Sequence, residues 1–241
     1  MNTIRDEAIV LRTYKLAESD RICVLLTREH GKVRAVAHGV RKTTSRLGAR
    51  MEVLDHVDVQ LARGRTELLS VRQVQPLGAP SAIRGDFARL SAAMVLLEVA
   101  DAATLEHLED PEYFEMVRRA LGSLEGAEDP SVVTTAFLLK TLVHDGAAPV
   151  LDRCASCGET TELVAFDLTE GGLLCRSCRS GRPVSPAAVA LLRRMLGGGL
   201  AGVLLEGRPD GSGEVASIAI EAMEAHVGRR LRAARAVDDA L

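Results

Sequence analysis

Among 241 residues there is no tryptophan, and only two tyrosines and four phenylalanines. Tyr14 is the single aromatic residue within 1–80. Base stacking on successive rings therefore contributes little to any nucleic-acid contact made there. No apolar run approaches the roughly 18–20 residues of a membrane span. The opening MNTIRDEAIVLRTYK has no apolar stretch behind a basic start, so export is not expected and a cytoplasmic location is. Catalytic signatures are missing as well: GxxxxGK[ST], HExxH and GxSxG do not occur. One GxGxxG is present at Gly197, Gly199 and Gly202. It follows a helix-like stretch and precedes the strand-like VLLEG, the reverse of the order that binds a pyrophosphate. The six histidines show no metal-ligand spacing. The expectation is a protein without enzymatic activity.

What is present is a core-forming composition, 47% hydrophobic and 26% charged, with an uneven charge distribution. Residues 1–80 carry 14 Lys and Arg against 9 Asp and Glu, whereas the rest carries 16 against 24. Within 28–50 the bias sharpens: Arg28, Lys32, Arg34, Arg41, Lys42, Arg46 and Arg50 face only Glu29. One concentrated basic region on an otherwise acidic chain points to a local anionic partner.

The pattern predicts an α+β protein. EAIVLRTYKL (7–16), RICVLLT (21–27), VRAVAHGV (33–40), VLDHVDVQLA (53–62) and TELLSVRQVQPL (66–77) read as five short strands. With the long polar loop 41–50 they fit an OB-fold barrel over 1–79. In VRAVAHGV, Val33, Ala35 and Ala37 fall on one side. Beyond Pro80 the period becomes helical, with Ile83, Phe87, Leu90, Met94, Leu97 and Ala100 spaced three or four apart. Asp110-Pro111, Asp129-Pro130 and Ser185-Pro186 each place an N-cap before a proline at the first helical position. A last helix is expected over about 214–235, ending in a basic cluster. The expected division is a helical part 80–149, a cysteine segment 150–182 and a second helical part 183–241.

Four of the five cysteines form two matched pairs, CASC at 154–157 and CRSC at 175–178. Two residues between thiolates let one tight turn aim both sulfurs at a single ion, and two such turns close a tetrahedral zinc site. Cys154, Cys157, Cys175 and Cys178 are the expected ligands of one structural Zn2+. Disulfides are disfavoured in the cytosol. A redox pair would want one CxxC at a strand-to-helix junction. Four thiolates also fill every coordination position and leave none for a substrate water, which argues against a metal-dependent hydrolase. Cys23, inside an apolar strand, reads as a core residue.

In a small barrel the cations of 28–50 would span a hairpin and the adjacent loop, where they could follow a phosphate backbone. The competing reading is a zinc-ribbon adaptor that binds proteins and has no DNA-annealing activity.

The chain also resembles a known family. AIVLRTYKLAESDRICVLLTREHGKVRAVAHGVRK is similar to the opening of the RecO family of bacterial recombination mediators. It has a strand, a polar turn with Glu18 and Asp20, and a hairpin bearing Leu26, Thr27, Gly31, Val33, Ala37, Gly39 and Arg41. Arg46-Leu47-Gly48 and Pro76-Leu77-Gly78 fit the family as well, and the cysteine segment with Phe166 and Gly171-Gly172 has the form seen in its zinc-bearing members. The resemblance implies an OB-fold, a helical C-terminal region and an inserted zinc site. It implies binding of single- and double-stranded DNA, annealing of complementary strands, and work with RecR, and often RecF, to load RecA. The strands are coated by single-stranded-DNA-binding protein, engaged through its acidic C-terminal tail. Carried onto this sequence, the DNA contacts are Arg34, Arg41, Lys42 and Arg46, then Lys32 and Arg50. Phe137, Leu138 and Lys140 are the residues that would meet the tail.

Overall fold

The computed structural model describes residues 3–16, 18–40, 50–64 and 68–234. Five strands come first: β1 (Thr3–Leu16), β2 (Asp20–Thr27), β3 (Gly31–Ala37), β4 (His56–Arg63) and β5 (Leu69–Pro76). They close into a barrel in the order β1-β2-β3-β5-β4. β3 and β5 pair in parallel, β4 returns antiparallel to β1, and the other neighbours are antiparallel. This is the five-stranded OB-like arrangement that the spacing of the strands predicts.

Period-two alternation fills the barrel. Ala8, Val10, Cys23, Leu25, Val33, Ala35, Ala37, Val57, Val59 and Leu61 form its core, with Val33, Ala35 and Ala37 inward as their alternation requires. The opposite faces of β1, β2 and β3 are covered too. Ile9, Val24, Leu26 and Val36 have outward parity and are still buried. The same compact unit, Met1–Leu121, holds α1 (Ser81–Arg84), α2 (Phe87–Ala103) and the start of α3 (Pro111–Gly126), and α2 packs against β1. The segment after α2 runs beside β3, where His107 donates its N–H to the Lys32 carbonyl at 2.9 Å. Gly31 is fixed by this approach. Its φ is +66°, and a Cβ there would sit 2.0 Å from the Leu108 carbonyl oxygen.

A second compact unit, Gly122–Leu241, holds α4 (Pro130–His144), β6 (Leu163–Asp167), β7 (Gly172–Cys175), β8 (Arg182–Pro183), α5 (Pro186–Leu196), α6 (Leu200–Leu205) and α7 (Ser212–Val227). The capping signals act as predicted. Asp129 accepts from the Ser131 N–H, Ser185 from the Ala188 N–H, and a proline follows each cap. Val132, Phe137 and Leu138 of α4, Leu192 of α5, and Ile218 and Met223 of α7 lie in the core of this unit.

Two expectations are corrected here. VLLEG was expected as a strand, but Val203, Leu204 and Leu205 belong to helix α6. Among the described residues no strand lies alongside to pair with them; Val203 packs inward while Leu205 is 85% exposed, a one-sided pattern that suits a helical turn. Helix α7 ends at Val227, earlier than expected, because Gly228 takes a left-handed φ of +67° and its N–H donates the capping bond to the Glu224 carbonyl; residues 232–234 are helical again.

Candidate metal centre and nucleic-acid interface

The metal centre is built by a three-stranded sheet in the order β7-β6-β8. The first knuckle turns at Cys154–Gly158: the Gly158 N–H donates to the Cys154 carbonyl at 2.9 Å, and Gly158 has a φ of +83°. β7 delivers Cys175 at its end, and the Cys178 N–H returns to the Cys175 carbonyl at 3.2 Å to form the second knuckle. The two knuckles are held together by the Ala155 N–H, which donates to the Leu173 carbonyl at 2.8 Å. A side chain at Gly172 would lie 2.4 Å from the Val150 carbonyl oxygen, so only glycine lets the chain before the first knuckle approach β7.

The four sulfurs lie within 4.8 Å of one another, and Cys157 Sγ is 3.7 Å from Cys175 Sγ. A tetrahedral ion with metal–sulfur bonds of about 2.3 Å needs sulfurs about 3.8 Å apart. No cysteine is disulfide-bonded. Amide donors, first that of Cys175 and then those of Cys157 and Ser156, pull Cys154 down to about 6. Crowding by the sulfurs of Cys157 and Cys175 pushes Cys178 up to about 12. Four thiols so close resist losing all their protons unless a cation compensates the charge, so the donor set fits a metal ion. The sequence-predicted ligands are thus brought together.

The cations of the basic segment take different places. Lys32 is 9% exposed; its ammonium donates to the Asp101 carbonyl oxygen at 2.6 Å and lies 3.4 Å from the Asp101 carboxylate. It therefore serves the C-terminal turn of α2, where a cation satisfies carbonyls that have no helical partner. Arg34, half exposed, pairs with Glu106 at 3.0 Å. Arg28 is tied to Glu7 and Glu115. Arg50 is exposed. Arg41, Lys42 and Arg46 lie outside the described residues. In the second unit Phe137 and Leu138 are buried at 2% and 0%, and Lys140 is exposed.

One feature is not legible as a motif. A groove of about 560 Å³ crosses the outer face of β1, β4 and β5, lined by Arg5, Arg50 and Arg72 among others. Arg5 makes a bidentate pair with Asp58, at 2.7 and 2.9 Å, and holds that carboxyl below the usual range. These residues are far apart in sequence and meet only through strand register.

Both halves of the chain match known sequences. Residues 1–80 match the family described as Recombination protein O N terminal, and residues 84–235 match Recombination protein O C terminal. The chain is 44% identical over 202 residues to the DNA repair protein RecO of Nocardioides sp., covering 80% of this chain and 82% of the relative. It is 45% identical over 204 residues to that of Thermobifida fusca, covering 82% and 83%. With that of Frankia casuarinae it shares 40% identity over 240 residues, 97% of each. The chain belongs to the RecO family of DNA repair proteins.

Proposed function

We propose that this protein is a recombination mediator that binds single- and double-stranded DNA, anneals complementary strands and, with RecR and RecF, helps load RecA onto strands coated by single-stranded-DNA-binding protein. The observation that carries this reading is family membership across both halves of the chain. The barrel supports it, because the basic segment leaves β3 and ends at an exposed Arg50.

Annealing needs no bond to be made or broken in the DNA. A cationic surface lowers the repulsion between two polyanions, and contacts to phosphate without stacking let strands slide into register. Arg41, Lys42, Arg46 and Arg50 carry that contact in this proposal. Arg34 would first have to release Glu106, and Lys32 Asp101, so both rank behind them. In the second unit Lys140 offers the surface charge for the acidic tail of the coat protein, with Phe137 and Leu138 supporting its helix from within. The metal is Zn2+, held by Cys154, Cys157, Cys175 and Cys178 in a purely structural role. The protein acts in the cytoplasm, at the nucleoid. Among the described residues no helix is long and apolar enough to cross a membrane.

The test is annealing of two complementary oligonucleotides precoated with the cognate single-strand-binding protein. Wild type is compared with Arg41→Glu/Lys42→Glu across a salt series. The expected result is acceleration by wild type, weakened by salt and by charge reversal. If about six phosphates are neutralised, log K against log salt slopes at roughly −4 to −5. No acceleration at any salt by folded protein would overturn the proposal.

A further inference from the structure

We propose that the outer face of β1, β4 and β5 is a strand-binding groove, in which phosphates of one DNA strand meet Arg72 and Arg50, with Arg5 engaged by Asp58, while its base edges meet Gln60, Gln73 and Gln75. The proposal rests on the reading of the chain as a DNA-binding protein and says where on the barrel the strand runs.

Barrels of this topology usually hold oligonucleotides on the face of strands two and three. Here that face is taken. Val24, Leu26 and Val36 are buried on it, Lys32 and Arg34 are paired with Asp101 and Glu106, and the segment carrying Leu108 presses on Gly31. A strand has to use another side of the barrel.

The β4–β5 side is open and is built differently. Register sets Arg5 opposite Gln60 and Gln60 opposite Gln73, and in the next outward row Asp58 opposite Gln75. Between the Gln60–Gln73 and Leu61–Val71 pairs the register shifts, so that Arg72 is an extra residue in β5. Such a bulge turns two neighbouring side chains to one face, and Arg72 and Gln73 are both exposed while Val71 and Val74 stay inside. Without the bulge, strict alternation would send one of the pair inward. The groove is the result: three guanidinium groups, one carboxylate already neutralised by Arg5, and three amides.

Charge and hydrogen-bonding chemistry choose the occupant. Three arginines against one carboxylate leave the groove lining with a net charge of +2, which favours a polyanion. Glutamine presents a donor and an acceptor side by side, the pattern that matches the edges of bases. An acidic peptide would use the cations, but its apolar side chains would find little to pack on, since Val74 is the one apolar residue lining the groove among those described. Arg50 also gives continuity, since it ends the basic segment and lines the groove.

The experiment measures binding of a fluorescein-labelled oligothymidylate by anisotropy across a salt series. A length of about 30 nucleotides exceeds the ~4–16 that one such barrel covers. Arg72→Gln is compared with Arg63→Gln, the same charge change on an exposed β4 residue outside the groove. A second variant, Gln73→Ala/Gln75→Ala, removes amides without altering charge, and circular dichroism checks that each variant is folded. Arg72→Gln should flatten the log K–log salt slope by about 0.7, the loss of one phosphate on a single strand. Arg63→Gln should not, and the double alanine should weaken binding at unchanged slope. Equal effects of Arg72→Gln and Arg63→Gln would mean a general field and overturn the groove. Wild-type behaviour of all these variants, with Arg41→Glu/Lys42→Glu impaired, would remove the groove and leave the annealing function standing. Loss of an acidic peptide but not of oligothymidylate by Arg72→Gln would reassign the groove to protein binding. No binding of oligothymidylate by wild type would bring down both readings.

Discussion

Asp20 accepts the backbone N–H of Gly39 at 2.8 Å, and its second oxygen meets His38 Nδ1 at 2.7 Å. Asp20 opens β2 and Gly39 follows β3, so one carboxylate fastens the exit of the hairpin just before the basic segment of the sequence. Removing it separates charge from positioning. By Coulomb attraction alone, Asp20→Ala should tighten DNA binding, because a negative charge beside the cations is lost. We expect weaker binding and slower annealing instead, since Gly39, just before the basic segment, loses its anchor. Tighter binding in the same oligonucleotide assay would show that Asp20 acts only through its charge.

The same contact has a pH signature. Donation by the Gly39 N–H, then by His38 and Ser19, holds the Asp20 carboxyl down at about 2, from an ordinary 3.8. A depressed carboxylate contributes its stabilisation above the unfolded value and loses it as pH falls through the folded one. The anchor should therefore be intact at pH 4 and disappear towards pH 2. The amide resonance of Gly39 is the probe: below pH 4 its shift should titrate with a midpoint near 2. A midpoint near 4 would show that the hydrogen bond is not formed in solution.

Lys32 gives a prediction of the opposite kind, about stability first. Its ammonium satisfies the Asp101 carbonyl at 2.6 Å, while Asp101 also keeps Arg12 at 3.1 Å. Lys32→Ala removes a buried charge-assisted hydrogen bond but leaves the carboxylate its pair with Arg12. The expected cost is about 1–3 kcal/mol, read as a lower denaturant midpoint. The salt slope of DNA binding should be unchanged. Wild-type stability with a flattened slope would make Lys32 a phosphate ligand after all.

Much of this was legible because the sequence punctuates it. Alternation marks the five strands, and Asp129-Pro130 and Ser185-Pro186 mark helix starts that the structure places at those caps. The cysteine spacing predicts ligands that the fold does bring together. Long-range partners leave no such trace. Nothing in the order of residues says that Lys32 finds Asp101, 69 positions on, so a run of cations reads as uniformly available when part of it is used inside. α6 was hidden for a related reason: the β-propensity of VLL counts only where a strand lies alongside. The groove of Arg5, Gln60 and Arg72 depends on a register shift in β5, and a single extra residue in a strand has no sequence signature of its own.

The cysteine segment should act through folding. Its first knuckle is tied to β7 by the Ala155–Leu173 hydrogen bond, and Arg193 of α5 donates to the Leu151 carbonyl at 2.8 Å just before it. An ion held by the four sulfurs thus locks a short sheet and the start of the segment to a helix that packs in the core of its unit. Structural zinc stabilises isolated modules by on the order of 10 kcal/mol, so its loss should be felt beyond the knuckles. Cys154→Ser/Cys157→Ser should bind less than a full equivalent of Zn2+ by mass spectrometry and melt at lower temperature than wild type. Annealing should fall only under conditions where that variant has begun to unfold. A variant that kept the wild-type melting temperature and still lost annealing would place the metal centre in direct contact with DNA or a partner, and the buttress role would be wrong.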